Sequence, residues 1–244
     1  MPDREYARMR QVEDEHWWYQ ALRSLVAREL ERTAGRRVPA RLLDVGCGTG
    51  GGLARWTEAR GAPSYGIDLS TAALAHCRAR GERLVAQASA EALPFGGDAF
   101  DVVVSLDVLC LDGVDEARAL AEIHRVLRPG GLLVLNLPAF EALRGVHDRA
   151  VRIRRRFVRE EVAALLRAAG FGAARVSYWN TTLFPAVWLT RRLRHGGAEP
   201  TSDLAPLPRP VNAALAVLVQ AEARLLARVT PPFGTSVLSV AAKA

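Results

Sequence analysis

Short apolar runs alternate with stretches of helical spacing along most of this chain. RLLDV (41–45), SYGID (64–68), RLVAQ (83–87), FDVVVSL (100–106) and GLLVLNL (131–137) predict strands. Between them, GGLARWTEAR (51–60), residues 71–80 behind Ser70 as N-cap, and residues 114–127 predict helices. FDVVVSL lacks polar alternation, as a strand covered on both faces does. Strand and helix in this rhythm imply a mostly parallel, doubly wound α/β sheet with right-handed crossovers. Upstream, Trp17, Leu22, Leu25, Val26 and Leu30 fall near helical spacing and predict a helix over 14–34, stopped near Gly35 and Pro39.

After residue 138 the rhythm changes. Residues 139–149 predict a short helix, and REEVAALLRAA (159–169) a clearer one, ended by Gly170, with Glu160 and Glu161 favouring its positive end. Residues 173–180 and 235–242 predict two strands that close the domain, giving seven in all. Between them lies an insertion, 181–234. It opens on the apolar-then-basic LFPAVWLTRRL (183–193) and passes through a proline-rich loop (195–210). Its last part, 211–229, sets Val211, Leu215, Leu218, Leu225 and Val229 on one helical face. The expected organisation is a helical N-terminal lid (1–38), a Rossmann-like core (39–180), the helical insertion (181–234) and a final core strand (235–244).

Composition narrows the function classes. Half of the residues are hydrophobic, 24% are charged and mean hydropathy is +0.03, as in a globular domain and unlike a disordered chain. No apolar run reaches the roughly 18–20 residues of a membrane span, and the charged start MPDREYARMRQVEDEHWWY is unlike a signal peptide. Three scattered cysteines are too few for a disulfide framework, so a cytoplasmic protein is expected. The net charge is +7, yet Lys243 is the one lysine among 33 basic residues, and the arginines are spread along the chain apart from Arg152 and Arg154–Arg156. That distribution reads as coding bias, and nucleic-acid binding is not expected. The five histidines show no metal-ligand spacing, so no metal is expected.

The chemistry centres on LLDVGCGTGGG (42–52), which follows a strand and opens a helix. Gly46, Gly48 and Gly50 let the backbone turn sharply and approach a ligand. Asp68 ends the second strand, placed to accept hydrogen bonds from ribose hydroxyls. These features point to a nucleoside-bearing cofactor at the switch point of an open sheet, with NAD and S-adenosylmethionine (SAM) both compatible. Beyond them, LLDVGCGTG, YGIDLS, ASAEALPF, FDVVVSLDVL and EIHRVLRPGGLLVLNLP follow in order. Together they resemble the class I SAM-dependent methyltransferases of the small-molecule, ubiquinone/menaquinone-type branch. EDEHWWY and LPAFEALRGVHD…RRRF are similar to a bacterial subgroup with an HWW-type entry segment, while 181–234 is matched loosely.

The resemblance implies an antiparallel last strand, SAM as cofactor with S-adenosylhomocysteine (SAH) as product, and a small-molecule acceptor methylated at O, N or C. It places Asp44, Gly46, Cys47 and Gly48 at the methionine end, Asp68 at the ribose and Leu69 against adenine. Ser89, Ala90 and Glu91 fall at the adenine edge, although the family commonly has aspartate where this chain has Ser89. Leu106 and Asp107 border the methyl group and the substrate. Leu109–Asp112 depart from the family's usual LEHI, so acceptor choice is not inherited from better-known relatives.

Several residues carry two readings. His16, Trp17, Trp18 and Tyr19 form a lid over cofactor and substrate, with Arg23 pairing the methionine carboxylate, or else they staple the first helix to the sheet. His147, beside Asp148, is the candidate general base, or a loop histidine bonded to a neighbour. The arginines of 152–156 recognise an anionic substrate group, or are solvated surface charges. Cys110 borders the substrate, or is a small packing residue. Phe184, Trp188 and Leu193 suggest an acceptor with a hydrophobic portion, or peripheral membrane contact, or a second subunit, or plain core packing. A monomer or homodimer is expected. The rivals are a SAM-binding protein catalysing a non-methylating reaction and an NAD-dependent oxidoreductase, the latter disfavoured by the motif series from Asp44 to RPGG.

Overall fold

The computed structural model describes residues 1–34, 41–60, 63–193, 203–225 and 229–244. The helix stop at Gly35 and Pro39 and the first part of the 195–210 loop lie outside them. Seven strands form one sheet: β1 (Leu42–Val45), β2 (Ser64–Asp68), β3 (Val85–Gln87), β4 (Phe100–Leu106), β5 (Leu127–Pro138), β6 (Phe171–Trp179) and β7 (Ser236–Lys243). Their spatial order is β3-β2-β1-β4-β5-β7-β6. The first five pair in parallel, and β7 runs antiparallel to both β5 and β6. This is the Rossmann-like, doubly wound α/β sheet expected from the sequence. The order reverses between β1 and β4, which opens a crevice at their carboxyl ends.

Helices α3 (Gly51–Arg60), α4 (Thr71–Ala79), α5 (Glu116–Val126) and α7 (Arg159–Ala168) lie close to their expected positions. Ser70 caps α4 as expected, its hydroxyl accepting the Ala73 amide at 3.3 Å. One face of the sheet buries Val103, Leu133 and Leu135 with Leu120, Ile123 and Leu166 of α5 and α7. The other buries Val102, Val104 and Val134 beneath α2 (Trp17–Ala34), through Leu22, Leu25 and Val26.

Three expectations are corrected, and one expected apolar helix face lies outward. The helix expected over 14–34 begins at Trp17, and a separate helix, α1 (Asp3–Val12), precedes it. Asn212 holds the break open, accepting the Trp17 amide at 2.8 Å and donating to the Glu15 carbonyl at 2.7 Å. The helix expected over 139–149 is a 3₁₀ turn (141–143) followed by α6 (Val146–Val151), interrupted by extended Gly145. β5 starts at Leu127, because the RPGG segment continues as extended chain. Helix α9 (Arg209–Leu225) buries Ala216, Val219 and Ala223, whereas Val211, Leu218 and Leu225 are exposed. Small residues let α9 approach α2 closely, and the large apolar ones are left outward.

Gly66 shows how tightly the sheet backs the loop after β1. A Cβ there would lie 2.6 Å from Leu53 Cδ1 and 2.8 Å from Cys47 Sγ. Gly66→Ala is therefore expected to cost about 1–3 kcal/mol, read as a lower denaturation midpoint.

Candidate active site

The loop after β1 is built by positive-φ glycines: Gly46 (+80°), Gly48 (+56°) and Gly50 (+86°). The amides of Gly46 and Cys47 both donate to the Ile67 carbonyl, at 2.8 and 2.9 Å, tying the loop to the end of β2. A Cβ on Gly46 would lie 2.1 Å from Val108 Cγ2, so no other residue fits beside the segment after β4. Behind the loop, Cys77 donates its thiol to the Gly48 carbonyl at 3.1 Å. Asp44 sits at the head of the loop, 4% exposed, and takes one long hydrogen bond from Trp56 Nε1 at 3.4 Å. Burial pushes its carboxyl up to about 7.

Asp68 is bonded on both oxygens. Oδ2 accepts the Gly48 amide at 3.0 Å, and Oδ1 accepts the Ser70 amide at 2.9 Å and the Tyr6 hydroxyl at 3.1 Å. Tyr6 belongs to α1, which the periodicity did not reveal and which lies across the glycine loop. The Met9 methyl would stand 3.0 Å from a Cβ on Gly48. Glu13, buried just after α1, bonds the Thr49 hydroxyl and Arg80. The cover expected from His16–Tyr19 is thus supplied in large part by Tyr6, Met9 and Glu13. Their sequence signal is the apolar series Tyr6, Met9 and Val12 at i, i+3 and i+6 in an otherwise mostly charged decapeptide.

The His16–Tyr19 segment has a mixed role. His16 is buried, and its Nδ1 accepts the Trp18 amide at 3.3 Å at the start of α2. Trp17 packs at the edge of the sheet-facing cluster. Trp18 lies 6.1 Å from the Trp179 ring, the stapling reading, and Tyr19 meets Trp18 edge-on at 5.1 Å. Burial and the carboxylates of Glu13 and Asp107 push the Tyr19 hydroxyl far above its ordinary range. Arg23 donates to the Glu13 carbonyl at 2.6 Å. A cavity of about 440 Å³ opens beside Gly51, lined by Gln20, Arg23, Ser24 and Arg55; neither Asp44 nor Asp68 lines it.

At the end of β4, half-buried Leu106 leads into Asp107, whose φ of +57° is a left-handed conformation that non-glycine residues rarely adopt. Its amide donates to the Asn136 carbonyl and its Oδ1 accepts Asn136 Nδ2, both at 2.9 Å. Asn136 in turn accepts the Trp179 indole N–H at 2.7 Å, which joins the ends of β4, β5 and β6. Burial pushes the Asp107 carboxyl up to about 7. On the other side of the crevice Leu69 stands 69% exposed, as an aromatic-stacking position requires. Ala90 is buried and the Ser89 hydroxyl accepts the Glu91 amide at 3.2 Å. The Glu91 carboxylate turns to α5, accepting the Asp115 amide at 3.0 Å.

On the acceptor side most of the candidate residues are engaged by their own neighbours. His147 Nδ1 accepts the Asp203 amide at 3.0 Å, the reading of a loop histidine bonded to a neighbour. Burial lowers its pKa. Asp148 is fully buried and bonds Arg156 at 2.7 Å, Arg191 at 3.2 Å and the Gly145 amide at 2.9 Å. Burial alone would raise its pKa, but Arg156 and Arg191 hold it low. It is a structural clamp. The arginines divide: Arg152 and Arg154 are exposed, Arg154 bonding Glu116, while Arg155 lies over the Phe157 ring at 4.2 Å and Arg156 is buried. Cys110 is fully buried and donates to the Asp107 carbonyl at 3.3 Å, so it packs rather than lining a pocket. Phe184 meets Phe140 at 5.8 Å and Phe233 at 5.1 Å, while Phe140 stacks on Tyr178 at 4.9 Å. Trp188 faces outward beneath the Arg192 guanidinium.

Comparison with known proteins gives consistent findings. The chain is 42% identical over 99 residues to the phthiotriol/phenolphthiotriol dimycocerosates methyltransferase of Mycobacterium leprae, covering 38% of this chain and 36% of that protein. It is 38% identical over 160 residues to the malonyl-[acyl-carrier protein] O-methyltransferase of Geobacter sulfurreducens, covering 57% and 58%. The chain thus spans less than two thirds of either relative. Phosphoethanolamine N-methyltransferase 2 of Haemonchus contortus, solved in complex with S-adenosyl-L-methionine, superposes with a TM-score of 0.57 at 22% identity. That match covers 90% of this chain and 52% of the other, and it shows a shared fold. Residues 43–135, from β1 into β5 and so including the glycine loop, Asp68 and Asp107, match the methyltransferase domain family.

Proposed function

We propose that this protein is a SAM-dependent methyltransferase that transfers a methyl group to a small-molecule acceptor with a hydrophobic portion. On its EDEHWWY entry segment we place it with the bacterial HWW-type subgroup. The observation that carries the reading is the pair of aspartates flanking the glycine loop. Asp44 is a buried carboxyl with one weak partner, and Asp68 stands at the neighbouring strand end. A buried acid in this state suits a cation, such as the ammonium of the cofactor's methionine moiety. Asp68 suits a ribose diol, which would compete with the Tyr6 hydroxyl for the carboxylate. The donor set therefore fits SAM, and the solved relative with SAM bound supports that fit.

The cofactor supplies an electrophilic methyl group on a sulfonium. The chain's part is alignment and exclusion of water, worth several kcal/mol when the reacting atoms are held in line. Asp44 and the loop amides hold one end and Asp68 the other. Asp107, Asn136 and Tyr19 border the reacting region, and α1 covers the loop. Phe140, Phe184 and Phe233 offer the acceptor an aromatic wall. With His147 and Asp148 both bonded to their own neighbours, we assign neither of them as a base. The three buried cysteines are free thiols, in keeping with a reducing compartment such as the cytoplasm. Methyl-labelled SAM incubated with candidate apolar acceptors tests the reading; label must appear in the acceptor along with SAH. Consumption of acceptor without label would instead favour the non-methylating reading.

Asp44 makes binding pH-dependent. Its carboxyl is raised to about 7 in the free protein, so this group's contribution to stability falls as pH rises from the ordinary carboxylate range towards 7. A bound ammonium needs it ionised, so binding releases a proton. Affinity for SAH is expected to rise by up to about tenfold per pH unit below neutrality and to level off above it. Calorimetry in buffers of different ionisation enthalpy reads the released proton, and Asp44→Asn removes it.

A further inference from the structure

Ten of the twelve large apolar side chains that stand exposed among the described residues belong to segment 181–234, less than a quarter of the chain. Helix α9 carries the clearest part of this surface. Its inner face, Ala216, Val219 and Ala223, lies on α2. The opposite arc is formed by Val211, Ala214, Val217, Leu218, Ala221 and Leu225, all exposed. A helix on the outside of a globular protein ordinarily turns polar residues to that side. Here the outer arc has no charge, and exposed Arg209 and Arg224 stand near its two ends. Glu222, the single carboxylate of α9, is taken up by the amides of Thr181 and Thr182, at 2.8 and 2.9 Å.

Helix α8 (Phe184–Leu193) repeats the pattern and has no acidic residue. Trp188, Leu189 and Leu193 are exposed, and the Arg192 guanidinium lies 4.9 Å from the Trp188 ring centre. The two helices are joined where Thr181 and Thr182, just before α8, meet Glu222 of α9. No described helix is long and apolar enough to cross a membrane. An apolar arc with cationic ends on a helix about 25 Å long is instead suited to lying in the plane of a lipid interface.

We propose that the outer face of α9, extended by α8, is a docking surface for an anionic lipid bilayer. Charge decides between this occupant and a second copy of the chain. A self-complementary contact on this face would bring arginines of two +7 chains together, whereas anionic headgroups complement them.

Co-sedimentation of the full chain with vesicles tests the proposal. Vesicles of equal parts phosphatidylglycerol and phosphatidylcholine are expected to bind the protein at least about tenfold more strongly than phosphatidylcholine alone, with the difference lost in high salt. The double variant Val217→Asp, Leu225→Asp is expected to lose binding by at least about tenfold while its melting temperature holds. Arg209→Gln and Arg224→Gln should each weaken binding about fivefold. No binding to either vesicle, equal binding to both, or undiminished binding by the double variant would overturn the proposal. So would self-association by light scattering that the double variant abolishes, without vesicle binding, which would assign the face to a second copy.

Discussion

Asp68→Ala is expected to weaken SAH binding by more than about a hundredfold. Hydrogen bonds to an ionised carboxylate contribute about 1.5–3 kcal/mol each, and a ribose diol makes two. The same carboxylate accepts the Gly48 amide, so the variant also loosens the loop that receives the other end of the ligand. Tyr6→Phe separates these effects. It removes only the hydroxyl that occupies Oδ1 in the free protein, and is expected to leave affinity unchanged or slightly improved. Calorimetric titration of the two variants, each shown to melt cooperatively, checks both outcomes.

Asp148→Ala is expected to act on stability rather than on chemistry. The substitution leaves Arg156 buried with its charge uncompensated, a change that costs about 3–5 kcal/mol. For a chain of this size that corresponds to a fall in melting temperature of roughly 6–20 °C. Removing both charges should recover part of the loss, so Asp148→Ala combined with Arg156→Leu is expected to melt higher than Asp148→Ala alone. SAH affinity measured below the transition should stay within about threefold of the parent, because neither residue bonds the glycine loop, Asp44 or Asp68. A large loss of affinity or turnover at unchanged melting temperature would return Asp148 to the reaction.

The contrast between these two aspartates shows what the sequence carries and what it does not. The parallel strands are legible because burial on both faces leaves apolar runs between glycines, as in FDVVVSL. Asp44 and Asp68 are legible because the loop that needs them has few other solutions. Asp148 looked like half of an acid–base pair because it follows His147. Its partners Arg156 and Arg191 lie eight and forty-three residues away and converge only when the insertion folds back. Helix α1 was missed for a related reason: its three large apolar residues, Tyr6, Met9 and Val12, make only a short stripe among charged ones, and its stability comes from contact with a loop forty residues further on. In α9 the rule that large apolar residues turn inward failed, since close approach to α2 selects alanine. That failure is also what exposes the surface proposed for lipid.

The central claim is that the cleft at the ends of β1, β2 and β4 holds SAM. Titration of the full chain with SAM and with SAH by calorimetry tests it most directly. The expected result is one-to-one binding of both ligands in the micromolar range, accompanied by a proton released from Asp44 below neutral pH. Absence of binding by protein that melts as a single cooperative unit would contradict it, and the aspartates flanking the glycine loop would need another ligand.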